Sequence, residues 1–399
     1  MYKNSYRSGP RRPSTTRHYG PNRRYPAKKS KQTVDPARFV KAASATQTLP
    51  YKSTHEFADF AMHPLLKSNV TSKGYTAPSE IQDKTIALGL EGKSVVGIAN
   101  TGTGKTAAFA LPILNRLLRN PTSKALIIAP TRELAIQIDE QCKILAKSSG
   151  LPGAILIGGA PMGRQLTSLK QGARIIIGTP GRIKDHLNQH TLNLANCDMV
   201  VLDEVDRMLD MGFINDVRFI LARLPQQHQA FFFSATLSPE ISSLIETFVH
   251  EPEVINVKVN ETHDNVHQDV VRYSGKTQKI DSLHDILITP DIGKVIIFGR
   301  TKHGVERLGK ELEARGFKVS ALHGGKSQGQ RNRALDGFRT NQINILVATD
   351  VAARGIDVKD ITHVINFDEP QTYNDYVHRI GRTGREGKPG HALTFVETL

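Results

Sequence analysis

Only two cysteines occur in 399 residues, Cys142 and Cys197. Two thiols this far apart form no disulfide framework and no metal-ligand spacing, which fits a reducing, cytoplasmic setting. Long apolar runs are also missing. Nothing approaches the roughly 20 residues needed to cross a bilayer, and the N-terminus has no apolar h-region, so neither a membrane span nor a secretory signal is expected. Acidic residues are almost absent from the first 52 positions, where thirteen Lys and Arg stand against Asp35 alone. Of the net charge of +15, +12 lies there and +3 in everything after it.

That basic stretch, rich in Pro, Ser, Gly and Thr and without an apolar period, is expected to be a disordered tail. Tyr2, Tyr6, Tyr19 and Tyr25 lie among its arginines, a mixture suited to phosphate attraction and base stacking. The plainer alternative is a solvated solubility tail. An organelle transit peptide fits poorly, because the prolines and glycines interrupt any amphipathic helix.

What is present is organised around Ser94–Arg119. An apolar run, Val95 to Ile98, leads through Ala99-Asn100-Thr101-Gly102-Thr103-Gly104-Lys105-Thr106 into a helical pattern. A strand, a Gly-rich turn and a helix N-terminus make a phosphate cradle from backbone N–H groups and the helix dipole. Lys105 would reach the β- and γ-phosphates of a nucleotide and the Thr106 hydroxyl would hold Mg²⁺. The usual pattern has Gly where Ala99 stands. A second Gly-Lys-Ser, at Gly325-Lys326-Ser327, is followed by Gln328, Gly329 and Gln330, a weak helix start, and is not read as a phosphate loop.

Apolar β-like runs recur at 125–129, 154–157, 174–177, 199–202 and 230–233, with stretches long enough for helices between them. After a polar linker the alternation resumes at 270–273, 295–298, 319–322, 343–347, 363–366 and 391–396, without a second phosphate loop. This predicts an α/β chain with parallel sheets covered on both faces. The expected units are a tail over 1–52, a first domain over 53–258, a linker over 259–266 and a second domain over 267–399, with ordered sequence starting near Phe57.

Asp203-Glu204-Val205-Asp206 follows the apolar run Met199–Leu202. A carboxylate at such a strand end, beside a phosphate loop, suits Mg²⁺ held through its water shell, the role expected of Asp203. Glu204 points elsewhere and is the candidate to orient and deprotonate an attacking water.

Taken in order, these segments resemble the motif set of the DEAD-box RNA helicases of superfamily 2, from Phe57 to Arg385. Phe57 and Gly74–Gln82, with Tyr75 and Pro78, resemble the adenine-recognising Q motif, whose Gln82 presents a donor and an acceptor to the base. Pro130-Thr131-Arg132-Glu133-Leu134-Ala135, Gly158-Gly159 and Thr179-Pro180-Gly181-Arg182 resemble RNA-contacting elements. Ser234-Ala235-Thr236 resembles the coupling motif. In the second half, 295–302, Gln328 with Arg331, Thr349–Asp357 and His378–Arg385 resemble the later motifs. Val205 departs from the Ala that gives the family its name.

The resemblance implies two RecA-like domains in tandem and ATP and Mg²⁺ as cofactors. Arg382 and Arg385 would reach the phosphates only when the domains close, since an arginine from a second domain is worth roughly 10³–10⁵ in rate. Gly355 and Asp357 would lie by the nucleotide, Asp357 at its ribose, and His378 would connect to Asp206 and to Ser234 and Thr236. RNA would run over Pro130, Arg132, Gly158, Gly159, Thr179, Gly181, Arg182, Arg300, Gly324, Gln328, Arg331 and Thr349, contacts that carry little sequence information. RNA is the partner expected, read through its 2′-hydroxyls, and no membrane is. The function implied is ATP-dependent local unwinding of short RNA duplexes or remodelling of RNA–protein complexes. An ATP-gated RNA clamp and a DNA-directed motor are the alternatives.

Overall fold

The computed structural model describes residues 1, 39–42, 51–99, 102–257, 265–353, 358, 360–384 and 388–398. Asn100, Thr101, Gly355, Asp357 and Arg385 lie outside them, as does most of the basic stretch.

Two parallel sheets form the frame. The first contains β1 (Val95–Ile98), β2 (Ala125–Ile128), β3 (Gly153–Leu156), β4 (Ile175–Gly178), β5 (Met199–Leu202), β6 (Gln229–Ser234) and β7 (Glu253–Asn256), in the order β3-β4-β2-β5-β6-β1-β7. The second contains β8 (Val266–Tyr273), β9 (Lys294–Phe298), β10 (Val319–Leu322), β11 (Ile345–Ala348), β12 (Ile361–Asn366) and β13 (Gly390–Glu397), in the order β10-β11-β9-β12-β13-β8. Apolar character on consecutive residues is what a strand buried on both faces requires. Ala125 and Ile127 of β2 enter one core and Leu126 and Ile128 the other. In β9, Val295 and Ile297 part from Ile296 and Phe298 in the same way. No helix among the described residues is long and apolar enough to cross a membrane.

The structure adds to the sequence reading at four places. β7 was not anticipated, because Ile255 is its one buried residue and it has no apolar run. Val266, placed in the linker, is fully buried and pairs with Gly390. Gln328 does begin a helix, Gln328–Arg339: the Ser327 hydroxyl accepts from Gln330 N, and Ser327 N donates to Gln330 Oε1 at 2.9 Å, a capping box that outweighs Gly329. Order also begins before Phe57. Asp83, on the helix Glu80–Leu90, accepts from Tyr51 Oη at 2.8 Å and from Thr54 N at 2.6 Å, and its other oxygen lies 2.6 Å from His55 Nδ1. Earlier still, Phe39 is fully buried and Lys41 pairs with Gln268 of β8.

Candidate nucleotide and nucleic-acid site

Parallel strands aim their carboxyl ends at one rim, where α/β sheets bind ligands. β6 lies between β5 and β1, so three loops meet there: the phosphate loop after β1, Asp203 after β5, and Ser234 at the end of β6. Gly102 and Gly104 have φ of 86° and 92°, the left-handed region where a side chain is strained. Gly104 is the residue before the helix Lys105–Arg119. A Cβ there would also collide with the Gln82 amide.

Gln82 is built into this loop. Its Oε1 accepts from Ser79 N at 3.0 Å and its Nε2 donates to Gly104 O at 3.2 Å, while Ser79 Oγ donates to Thr103 O at 2.7 Å. A primary amide has two N–H groups and two lone pairs, so one of each remains for a base edge. Tyr75, Gln82, Gly104 and Thr106 line a cavity of 330 Å³. Phe57 packs edge-on to Tyr75 at 5.3 Å and is buried, as is Pro78.

Lys105 is buried; its Nζ donates to Ala99 O at 3.0 Å and lies 4.0 Å from Asp203 Oδ1. That carboxylate oxygen is itself buried, with no hydrogen-bond partner among the described residues. A buried, unsatisfied anion beside a phosphate loop suits a hydrated divalent cation, and Thr106 supplies a half-buried hydroxyl in the same loop. Asp203 and Thr106 therefore fit Mg²⁺. Burial pushes the Asp203 carboxyl up, against the pull of Lys105.

Glu204 has φ 56° and ψ 54°, a strained conformation for a residue with a side chain. Burial would raise its pKa, but Arg207, Lys105, Arg382 and His378 together hold it below the usual carboxylate range. The Arg207 guanidinium donates to Glu204 Oε2 at 2.7 Å with both side chains buried. The sequence reading missed Arg207; its place three residues after Glu204 on a helix start is the only signal. Asp206 accepts from Ala235 N at 3.0 Å, and Ser234 Oγ donates to Thr236 O at 2.7 Å, joining the carboxylate loop to the end of β6. Val205 is buried beside Leu202 and Met208.

Arg382 and His378 of the second domain thus bear electrostatically on Glu204 of the first. Arg379, between them, is used differently. It is fully buried, pairs with both oxygens of Asp350 at 2.6 and 2.8 Å, and donates to Asn366 Oδ1 and Asp368 O.

A second cleft, of 400 Å³, is lined by Pro130, Arg132, Gly158, Thr179, Gly181, Arg182, Gly324 and Arg331, among others. Helices start at three of its walls: Arg132–Leu145 capped by Thr131, Pro180–Asn188 after Thr179, and Gln328–Arg339 capped by Ser327. Their positive ends favour phosphate. The Arg132 guanidinium lies over Gly159, where any Cβ would collide with it. Burial lowers its pKa; Glu133 works the other way, and Arg331 and Arg182 add to the lowering, so an anion is the complement the cleft asks for. Arg182 also donates to Ala160 O at 3.3 Å.

Four of the residues expected on the RNA path also have protein partners. Arg331 Nε donates to Glu133 Oε1 at 2.7 Å, a buried pair between the two domains, and Gln328 Nε2 reaches the same oxygen at 3.4 Å. Arg300 is exposed, its backbone N donating to Asp368 at 2.8 Å. Thr349 is half-buried just beyond β11, and its N donates to Leu322 O at 3.2 Å. Lys326 of the second Gly-Lys-Ser pairs with Glu306 at 2.7 Å.

Residues 79–244 match the model of the DEAD/DEAH box helicases, and 278–387 that of the helicase conserved C-terminal domain. The ATP-dependent RNA helicase CshA of Limosilactobacillus reuteri is 44% identical over 343 residues, 86% of this chain and 69% of that protein. The CshA of Bacillus subtilis is 44% identical over 345 residues, 86% of this chain and 70% of that one. Among solved structures, S. cerevisiae Dbp5 bound to RNA and ADP–BeF3 superposes with a TM-score of 0.75 at 30% identity, covering 88% of this chain and 90% of that one. Mss116p bound to single-stranded RNA and AMP-PNP gives 0.77 at 27% identity, covering 88% and 77%.

Proposed function

The chain belongs to the DEAD/DEAH box helicase family, and from that membership we propose that it is an ATP-dependent RNA helicase whose ATP site is completed by its second domain. The observation that carries this is electrostatic. Arg382 and His378, more than 170 residues away in sequence, act on the buried carboxylate of Glu204, which itself stands beside Lys105 and Asp203. An active site divided between two domains works only when they are together, which is how RNA held across both can control hydrolysis.

In this reading Lys105 and the loop N–H groups hold the β- and γ-phosphates. Gln82 offers its remaining donor and acceptor to adenine, with Phe57 and Tyr75 supporting it. Asp203 and Thr106 hold Mg²⁺, which when bound neutralises charge on the phosphates. Glu204 orients a water whose oxygen attacks the γ-phosphorus as the bond to the β–γ bridging oxygen breaks. A carboxylate held well ionised is a weak base, and for a loose phosphoryl transfer its main contribution is to position that water. Arg382, with Arg385, stabilises charge on the transferring group. Arg132, Arg182 and the converging helix ends hold RNA phosphates, and strand separation follows if the closed pair accepts a conformation that a duplex cannot adopt. The basic tail adds electrostatic contacts, and the cytoplasm is where this activity belongs.

ATP turnover measured with and without single-stranded RNA tests the proposal. Turnover should rise with RNA, and Glu204→Gln should keep ATP and RNA bound while hydrolysis stops. Turnover indifferent to RNA, or a Glu204→Gln protein hydrolysing at the wild-type rate, refutes it. Duplex unwinding measured beside RNA binding separates a helicase from a clamp, and stimulation by DNA would identify the other kind of motor.

A further inference from the structure

Phe39 stands in a stretch whose composition reads as solvated tail, yet its ring is fully buried. It lies 4.7 Å from the Tyr376 ring, in one apolar cluster with Val266, Ile380 and Ala392. Two residues on, Lys41 N donates to Gln268 O at 3.1 Å and Gln268 N donates to Lys41 O at 2.9 Å, an antiparallel bridge on a sheet whose named strands all run parallel. β8, which carries Gln268, is the last strand of its sheet. The segment thus adds to an edge, where unpaired backbone groups accept another strand. Tyr376 Oη donates to Gln268 Oε1 at 2.9 Å, tying the ring that Phe39 covers to the residue that Lys41 pairs with.

The helix Tyr373–Ile380 is what this anchor backs. Tyr376 and Ile380, four residues apart, share its buried face, and His378 lies roughly opposite. The helix is short, and the turn leaving its C-terminus delivers Arg382. Arg379, three residues after Tyr376, ties the adjoining part of that face to Asp350 and Asn366. Phe39 packs on Tyr376 itself. With the ring removed, the cluster behind Tyr376 loses its outermost member, and the helix is free to shift by a fraction of a side chain. Such a shift matters little to folding and much to a guanidinium that must meet a transferring phosphoryl group across a domain boundary, where a misplacement of about 1 Å costs as much as 10²-fold.

We propose that Phe39 is a positioning residue for Arg382: strand addition by Phe39–Lys41 seats the helix that presents the arginine to the ATP site. The inference rests on the reading of that site given above.

The test is a double-mutant cycle on kcat at saturating ATP and RNA. Phe39→Ala should lower kcat about 5- to 10-fold and leave the KM for ATP within about twofold, because the nucleotide is held by the first domain. Phe39→Leu, which keeps the apolar fill, should recover most of the loss. Lys41→Pro, which removes the bridge donor without touching the ring, should lower kcat in the same direction by less. On an Arg382→Ala background Phe39→Ala should cost nothing further, since a residue acting through Arg382 has nothing left to act on. A general loss of structure would instead multiply the two effects. Unchanged or raised kcat in Phe39→Ala, or effects that multiply in the cycle, overturn the proposal. Failure of the underlying functional reading looks different, because the wild type itself would then show no RNA-stimulated turnover.

Discussion

Replacing Arg331 by Ala should trap a charge. In the structure the Arg331 guanidinium meets the Glu133 carboxylate at 2.7 Å with both side chains buried, and the two residues belong to different domains. With the domains apart each group returns to water, so the pair bears on closure and hardly on the stability of either domain. Removing one member of a buried pair leaves the other uncompensated, at about 3–5 kcal/mol. Gln328, 3.4 Å from the same oxygen, offsets part of this, so the lower end applies. About 3 kcal/mol on the closing equilibrium is roughly two orders of magnitude. Affinity for single-stranded RNA in the presence of AMP-PNP should fall by about that factor, while ATP binding without RNA stays as it was. The decisive comparison is with Glu133→Ala combined with Arg331→Ala. Removing both ends removes the stranded charge, so the double variant should bind RNA better than Arg331→Ala alone. If the double variant is worse by the product of the single effects, Arg331 acts on RNA directly and the explanation from closure is wrong.

ATP should be preferred over GTP, because Gln82 retains one donor and one acceptor for a base edge; Gln82→Ala should erode the preference, and equal use of both nucleotides by the wild type would refute it. Stability should fall as pH drops from about 6.5 to about 4. Burial first, and the stacked ring of His391 second, hold His363 down to about 4 against the opposite pull of Asp291, so the unfolded chain takes up a proton there before the folded one does. Discounted for its partial exposure, the loss from His363 should reach about 2 kcal/mol at pH 4, and urea titrations across that window should show the advantage of wild type over His363→Asn shrinking by that amount. Deleting residues 1–38, which hold eleven Lys and Arg against one Asp, while keeping Phe39, should flatten the dependence of log K on log salt. The change is about 3.5 units if roughly five RNA phosphates are contacted, with saturated turnover little changed; identical slopes would make the tail passive.

What the sequence disclosed and what it hid divide along a physical line. A phosphate loop is written in neighbouring residues, because Gly102, Gly104 and Lys105 each serve a local backbone need. Doubly buried strands declare themselves by runs such as Met199–Leu202, and their ends point to the rim where the site forms. Hidden features depend on a partner far along the chain or on a single ring. β7 is a strand because β1 offers it an edge, not because Glu253–Asn256 has an apolar pattern. The sequence could not show Glu133 lying against Arg331, 198 residues away. Asp83 and its three partners around Tyr51 were invisible for the same reason. Phe39 is the sharpest case. Composition averages over a window, and one aromatic among lysines and prolines does not move the average. Yet burial is decided by whether a complementary surface exists, and the free edge of β8 beside Tyr376 supplies one. Short aromatic islands in basic extensions are therefore better tested against the exposed sheet edges of their own chain than against compositional thresholds.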